Sequence, residues 1–140
     1  MITVSLCMIV KNEERTLRRC LDSVRGLMDE IIIADTGSTD RTVEIARDCG
    51  AAVCTFPWCD DFAAARNFAF SKATMQYCMW LDADDVLEPA DREAFRKLKE
   101  TLDPDTDVVM LRYHTGFDES GKPTFSYWRE RLLRRAAGFR

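Results

Sequence analysis

Apolar and polar positions fall in alternating blocks along this 140-residue chain. Residues 3–10 (TVSLCMIV) are a continuous apolar run rich in β-formers, as expected of a strand buried on both faces. Lys11-Asn12-Glu13 ends it. A helix follows with Leu17, Cys20, Leu21 and Val24 on one face, Arg15, Arg18, Arg19 and Asp22 largely opposite, and Gly26 as its stop. Residues 30–34 (EIIIA) read as a second buried strand, emptying into Asp35-Thr36-Gly37-Ser38-Thr39-Asp40. Ser38 or Thr39 is placed to cap the next helix, which runs to about Cys49 with Val43, Ile45 and Ala46 inward. Residues 51–56 form a third strand, 57–61 a loop, 62–73 an Ala-rich helix carrying Arg66 and Asn67, and 77–81 a fourth strand. Pro89 suits the first turn of a helix reaching about Leu102. Residues 107–113 give a fifth strand, Asp118-Glu119-Ser120-Gly121 a turn, and 125–133 a returning strand.

Strand and helix thus alternate through four units with short connections, then a hairpin-like addition follows. That pattern predicts a single α/β domain over residues 1–140, a Rossmann-like three-layer sandwich with a mostly parallel central sheet. Ligands of such sheets bind outside the carboxyl ends of the strands, at a topological switch point. Lys11-Asn12-Glu13, residues 35–40 and residues 82–85 each directly follow a predicted strand. The three clusters should therefore share one edge and one cleft.

A chain with 46% hydrophobic and 31% charged residues can bury a core without disulfide staples. Its net charge of −4 gives no reason to expect nucleic acid as a partner. The tail differs: Arg129, Arg131, Arg134, Arg135 and Arg140 are answered locally only by Glu130. That suggests a phosphate- or membrane-facing patch, a solvated helix face or a frayed end. The six cysteines (Cys7, Cys20, Cys49, Cys54, Cys59, Cys78) form no C-x-x-C, and His114 lies far from them in sequence. They read as reduced, mostly buried thiols rather than a zinc site, and His114 is left without a role. The apolar opening is too short to span a bilayer and lacks a basic leader. The expected location is cytosolic, with membrane association at most peripheral, at the inner face.

Asp82, Asp84 and Asp85 crowd three carboxylates into four residues, a repulsion that a cation or hydrogen-bond donors must offset. At the end of a buried strand the usual compensator is a divalent metal with oxygen ligands, such as Mg²⁺ or Mn²⁺ holding a phosphate. The alternative is an acidic loop capping the next helix. Asp82 and Asp84, two apart, would share one strand face and can aim at one metal. Asp85 is a further ligand, a supporting group or a helix start. Asp35 is placed to accept hydrogen bonds from a ribose hydroxyl or a base N–H, the alternative being a capped turn with Asp40 in the first turn. No G-x-G-x-x-G or G-x-x-x-x-G-K-[ST] is present, so NAD-type and P-loop readings lose their main support. Arg66 is expected to pair with Asp61 or a cleft acid, chiefly as a structural ion pair. Trp58 and Trp80 read as packing residues, although a loop Trp can also stack on a sugar or base.

Four segments together carry a family resemblance. Residues 4–14 include Val10-Lys11-Asn12-Glu13, and residues 30–40 include Asp35-Thr36-Gly37-Ser38-Thr39-Asp40. Phe62-Ala63-Ala64-Ala65-Arg66-Asn67 and Leu81-Asp82-Ala83-Asp84-Asp85 follow in order. In this order they resemble the family 2 glycosyltransferases with the GT-A fold. They are most similar to the bacterial branch that includes lipopolysaccharide-core transferases and peptide S-glycosyltransferases. A lone D-x-D is weak; four motifs at family spacing, over about residues 2 to 88, are specific.

The resemblance implies an inverting transfer of sugar from a nucleotide-sugar, with UDP-sugar the expected donor class, to a hydroxyl or thiol acceptor on a glycan, lipid-linked saccharide or peptide. By the same resemblance Val10, Lys11, Asn12 and Glu13 lie against the base, Asp35 binds uridine, and Arg66 belongs to the donor site. Asp84 would ligate Mn²⁺ or Mg²⁺, and Asp82 would contact ribose or metal. Many relatives carry an acid where Thr36 stands, and Thr36 cannot supply that charge. This branch often shows a Gly-x-x-His-Glu stretch beyond the tail, with the acceptor side and its catalytic base. The chain stops at Arg140 without one, so no catalytic base is assigned, and the expectation is a donor-binding part that transfers sugar poorly by itself. Two alternatives stay open: a non-catalytic nucleotide-sugar-binding domain, and a haloacid-dehalogenase-type phosphatase. The latter normally carries its D-x-D after the first strand.

Overall fold

In a computed structural model, residues 1–58, 60–117 and 123–137 are described; Cys59, the turn expected at residues 118–121 and Arg140 lie outside them. The elements follow the predicted order: β1 (Val4–Val10), α1 (Leu17–Ser23), β2 (Glu30–Asp35), α2 (Thr42–Asp48), β3 (Ala52–Thr55), α3 (Phe62–Ser71), β4 (Tyr77–Trp80), α4 (Pro89–Thr101), β5 (Val108–Phe117) and β6 (Pro123–Arg134). They build one six-stranded sheet in the order β3-β2-β1-β4-β6-β5. The pairings β1–β2, β1–β4 and β2–β3 are parallel, whereas β6 is antiparallel to both β4 and β5. The sheet is mostly parallel, as the βαβ pattern predicts.

The period of two along each strand divides the core into layers. Val4, Leu6, Met8 and Val10 of β1, with Ile33, Tyr77 and Met79, pack against Leu17, Cys20 and Leu21 of α1, Ile45 and Ala46 of α2, and Phe95 of α4. Cys7, Ile32, Ala34 and Cys78 face the other way, against Ala69 of α3 and the following Ala73. Each fully buried Leu, Val or Met contributes roughly 1.5–3 kcal/mol. Exposed pairs such as Arg25–Asp22 and Arg96–Glu93 add well under about 1 kcal/mol each. Apolar burial on both faces holds the sheet.

The cysteines Cys7, Cys20, Cys49, Cys54 and Cys78 are free thiols, the first two and Cys78 buried. Cys7 hydrogen-bonds Cys78 and is buried, and both effects push its thiol up, keeping it protonated. The basic tail is not a helix face. Of the described residues, Arg131 and Arg134 stand on β6 and Arg135 in the turn after it, with partners from distant segments: Arg134 pairs with Asp107, Arg135 donates to the Met75 carbonyl, and the buried Arg131 pairs with Asp85. A count of neighbouring charges along the chain could not see these partners. Among the described residues no helix is long and apolar enough to cross a membrane.

At the amino ends of the strands, Lys99 is buried with its ammonium donating to the Leu27 carbonyl (2.7 Å) and to Asp29 (2.8 Å). Burial alone would raise the Asp29 carboxyl, but Lys99 and the Val4 amide outweigh it and hold it below its ordinary range. Glu30 likewise overcomes burial through Ser5, Thr74 and Arg135. A carboxylate held low in the folded state contributes stability that is complete above its unfolded pKa and lost as pH falls through its folded one. Urea denaturation should therefore show stability falling below about pH 4. In Asp29→Asn/Glu30→Gln the fall should be shallower; an equally steep fall would contradict the assignment.

Candidate functional site

The parallel order places the switch point between β1 and β4, because the chain leaves β1 toward β2 and β3 and then returns to β1's other side. Register puts Val10 opposite Asp35, and Cys7 opposite Trp80. Asp82, two residues past Trp80, therefore leaves the sheet about level with Ile9. A small cavity opens at this point, bordered by Ile9 of β1, Phe62 and Arg66 of α3, and Trp80, Leu81 and Asp82. Two of the three predicted clusters thus flank the end of β1, separated by about two strand spacings, roughly 10 Å.

The acids after β4 sit on a turn rather than a strand face. β4 ends at Trp80, and the Asp85 amide donates to the Asp82 carbonyl (2.9 Å), closing a four-residue turn. Ala83 is buried while Asp82 and Asp84 are exposed on either side of it. One carboxylate oxygen each from Asp82, Asp84 and Asp85 lies within 4.8 Å of the others. Asp85 does not start α4, which begins at Pro89. Its Oδ2 accepts from the Asp82 amide (2.9 Å) and from the buried Arg131 (3.0 Å). Behind the turn the Cys20 thiol donates to the Asp82 carbonyl (3.6 Å). Burial, then the three nearby aspartates, push that thiol up to about 12, so it remains a protonated donor.

The loop after β2 is built differently from the capped turn read in the sequence. Neither Ser38 nor Thr39 caps α2, and Asp40 lies before the helix's first turn: α2 begins at Thr42, and the Asp40 carboxylate accepts from the Thr42 amide (2.9 Å). Ser38 and Thr39 instead hold Asn12, whose amide donates to Ser38 Oγ (2.9 Å) and whose Oδ1 accepts from the Thr39 amide (2.8 Å). Asn12 takes a left-handed backbone, φ 53°, which asparagine tolerates better than most residues. The Glu13 amide donates to Thr42 Oγ1 (2.8 Å), and the buried Thr36 hydroxyl to the Val10 carbonyl (3.1 Å). Asn12 and Glu13 therefore clasp the second loop to the first. The Val10 side chain belongs to the core, and Lys11 is exposed.

That clasp presents Asp35, which is 6% exposed. Its Oδ2 accepts from the amides of Gly37 (3.3 Å) and Ser38 (3.2 Å), while Oδ1 is buried with no partner. A buried carboxylate oxygen left unpaired costs free energy, roughly 1–3 kcal/mol or more, unless a ligand donor meets it. The Arg66 guanidinium lies 4.2 Å from the centroid of the Trp80 ring, a contact the linear sequence does not reveal. Asp61 serves as the N-cap of α3, accepting from the Ala64 amide (3.1 Å). Trp58, 37% exposed, packs edge-to-face on Phe62 with its indole N–H on Asp60. Arg131 and Cys20 were not read from the sequence as site residues, since nothing in linear spacing ties either to the acids.

The sequence matches the family model of glycosyl transferase family 2 across residues 5–139. The chain belongs to that family, and its sandwich is the GT-A fold. A TPR repeat-containing protein of Synechococcus elongatus is 48% identical over 103 residues, covering 74% of this chain and 25% of its own length. The SPbeta prophage-derived glycosyltransferase SunS of Bacillus subtilis is 32% identical over 109 residues, covering 72% and 24%. This chain therefore spans about a quarter of the length of these curated relatives. Among solved structures, glucosyl-3-phosphoglycerate synthase from Mycobacterium tuberculosis in complex with UDP superposes with a TM-score of 0.53 at 29% identity, covering 61% of this chain and 35% of that one. The same synthase is also solved with Mn²⁺, UDP and glucosyl-3-phosphoglycerate (TM-score 0.51, 29% identity, 59% and 33% covered). S. aureus TarS shares the fold at a TM-score of 0.58 and 21% identity, covering 69% and 31%.

If the clasp holds the Asp35 loop, Asn12→Ala should lower stability by about 1–2 kcal/mol through the lost bonds and a left-handed backbone alanine disfavours. Asn12→Gly, which relieves the backbone cost, should lose less. Equal losses in urea denaturation would remove the backbone part of this account.

Proposed function

We propose that this chain forms the donor side of a metal-dependent, inverting glycosyltransferase that takes a nucleotide-sugar, with UDP-sugar the favoured class. One observation carries the reading. Around the end of β1, at the switch point, a buried aspartate oxygen without a partner stands on one side and three clustered carboxylates on the other. Membership of glycosyl transferase family 2 supports the reaction class. The mycobacterial synthase, solved with Mn²⁺ and UDP, supports the cation and the nucleotide.

The residues fit a divalent cation: oxygen-only donors, two of them exposed, are the set that Mn²⁺ or Mg²⁺ takes alongside phosphate oxygens. Asp84 and Asp82 would hold it. A cation there offsets the charge that a departing nucleoside diphosphate gains. Asp35 Oδ1 accepts a hydrogen bond from the nucleoside, as a base N–H or ribose hydroxyl offers. Arg66, fixed on Trp80 at the lip of the cavity, presents guanidinium N–H groups toward diphosphate oxygens. Lys11, exposed beside the clasp, lies on the nucleotide side. In this reading the acceptor (a glycan, lipid-linked saccharide or peptide) and the carboxylate base that deprotonates it meet the donor from other parts of a longer protein. The phosphatase alternative loses its footing, because the D-x-D follows β4 in a chain of this family.

A ligand that binds only the native state raises its stability, by about 2.7 kcal/mol at a hundred times Kd. UDP with Mn²⁺ should therefore raise Tm by several degrees, and UDP in chelator should not. Asp84→Ala should abolish the metal-dependent part. Equal stabilisation by UDP in chelator would sink the metal assignment.

A further inference from the structure

We infer that Arg131 is a positioning residue of the metal turn, acting through Asp85 and Trp80. The inference rests on the donor-site reading. The antiparallel register, Met79 with Leu132, sets Arg131 beside Trp80 on the face that Leu132 does not use. Its side chain is 4% exposed and its Nη1 donates both to the Trp80 carbonyl (3.1 Å) and to Asp85 Oδ2 (3.0 Å). Its guanidinium carbon lies 3.9 Å from the centroid of the Trp80 ring, where Arg66 also lies at 4.2 Å. The Trp80 ring is thus contacted by two guanidinium groups, one from α3 and one from β6.

The same Asp85 oxygen accepts the Asp82 amide. Arg131 thereby fixes the last carboxylate of the turn, and that carboxylate fixes the backbone from which the Asp82 side chain projects. Charge follows the same division. Asp85 is paired with a buried guanidinium at the back of the turn, while Asp82 and Asp84 are exposed, where a divalent cation can reach them. A planar guanidinium is required, since an ammonium cannot stack flat on the indole while reaching both oxygens.

The test compares wild type with Arg131→Lys, Arg131→Met and Asp85→Asn. It uses amide hydrogen exchange without ligand, then Mn²⁺ titration in the presence of UDP followed by the electron paramagnetic resonance of free Mn²⁺. The two arginine variants should speed exchange at the Asp82 and Asp85 amides at least tenfold more than at β1 and β2. All three variants should weaken Mn²⁺ binding about 10- to 100-fold, as loss of groups behind metal ligands does. Arg131→Met/Asp85→Asn should be no weaker than the worse single variant, because both act through one pair. Unchanged or tighter Mn²⁺ binding in Arg131→Met would overturn the inference, as it would if freed Asp85 were itself a ligand. Exchange that rises uniformly through the sheet would also overturn it, leaving Arg131 a purely structural residue. Wild type that takes up no Mn²⁺ with UDP would overturn the donor-site reading, while the ligand-free exchange still decides the bracing alone.

Discussion

Three carboxylates end β4 within four residues, and their mutual repulsion is the constraint to which the surrounding elements respond. At 4.8 Å and an effective dielectric near 20, two such charges repel by about 3 kcal/mol, less where water screens them. That is comparable to a sizeable fraction of a domain's net stability. The fold offsets it asymmetrically. Asp85 is turned inward onto Arg131, Ala83 is buried, and Asp82 and Asp84 face solvent. Against the cost of burying Arg131 stand the indole face, a carbonyl and a carboxylate; a buried arginine with one partner would be a liability.

This arrangement explains why the sheet reverses direction where it does. A parallel strand beside β4 would continue the βαβ pattern, but the chain reaches residue 131 by the β5–β6 hairpin and runs antiparallel to β4. The reversal lays Leu132 into the core against Met79 and sets the residue before it, Arg131, beside Trp80 on the other face. One register therefore joins a core contact to a charge contact, and slipping it by one residue would exchange them.

The strands were legible because each is a short apolar run between turn signals, and the three clusters because each follows such a run. The shared edge follows from parallel topology alone. What sequence could not carry was contact between residues distant along the chain. The arginines of the tail looked like a surface patch because Asp85 and Asp107 are not their neighbours in sequence. Ser38 and Thr39 looked like helix caps because cap chemistry is local, whereas their actual partner, Asn12, lies on another loop. Arg66 was expected to seek a carboxylate, and its contact with the Trp80 ring, on a strand distant in sequence, was not legible. Fold was written in local pattern; the bracing of the site was written in tertiary contacts.

The two loops on either side of β1 solve the same problem in opposite ways. The loop after β2 is over-determined by the Asn12 clasp, which lets it keep a buried carboxylate oxygen unpaired. The turn after β4 keeps the charge of Asp82 and Asp84 outside, on exposed side chains. Asp82, Asp84 and Asp85 with Arg66 and Arg131 leave one net negative charge, which in the proposed function favours a cation over a diphosphate. A divalent ion reverses the sign. In the proposed function the order of binding then follows from charge alone: the metal, or a metal already carried by the diphosphate, must arrive for the anion to stay. The rigid clasp at the other end needs no such change, because the hydrogen bond it offers to a nucleoside is present beforehand.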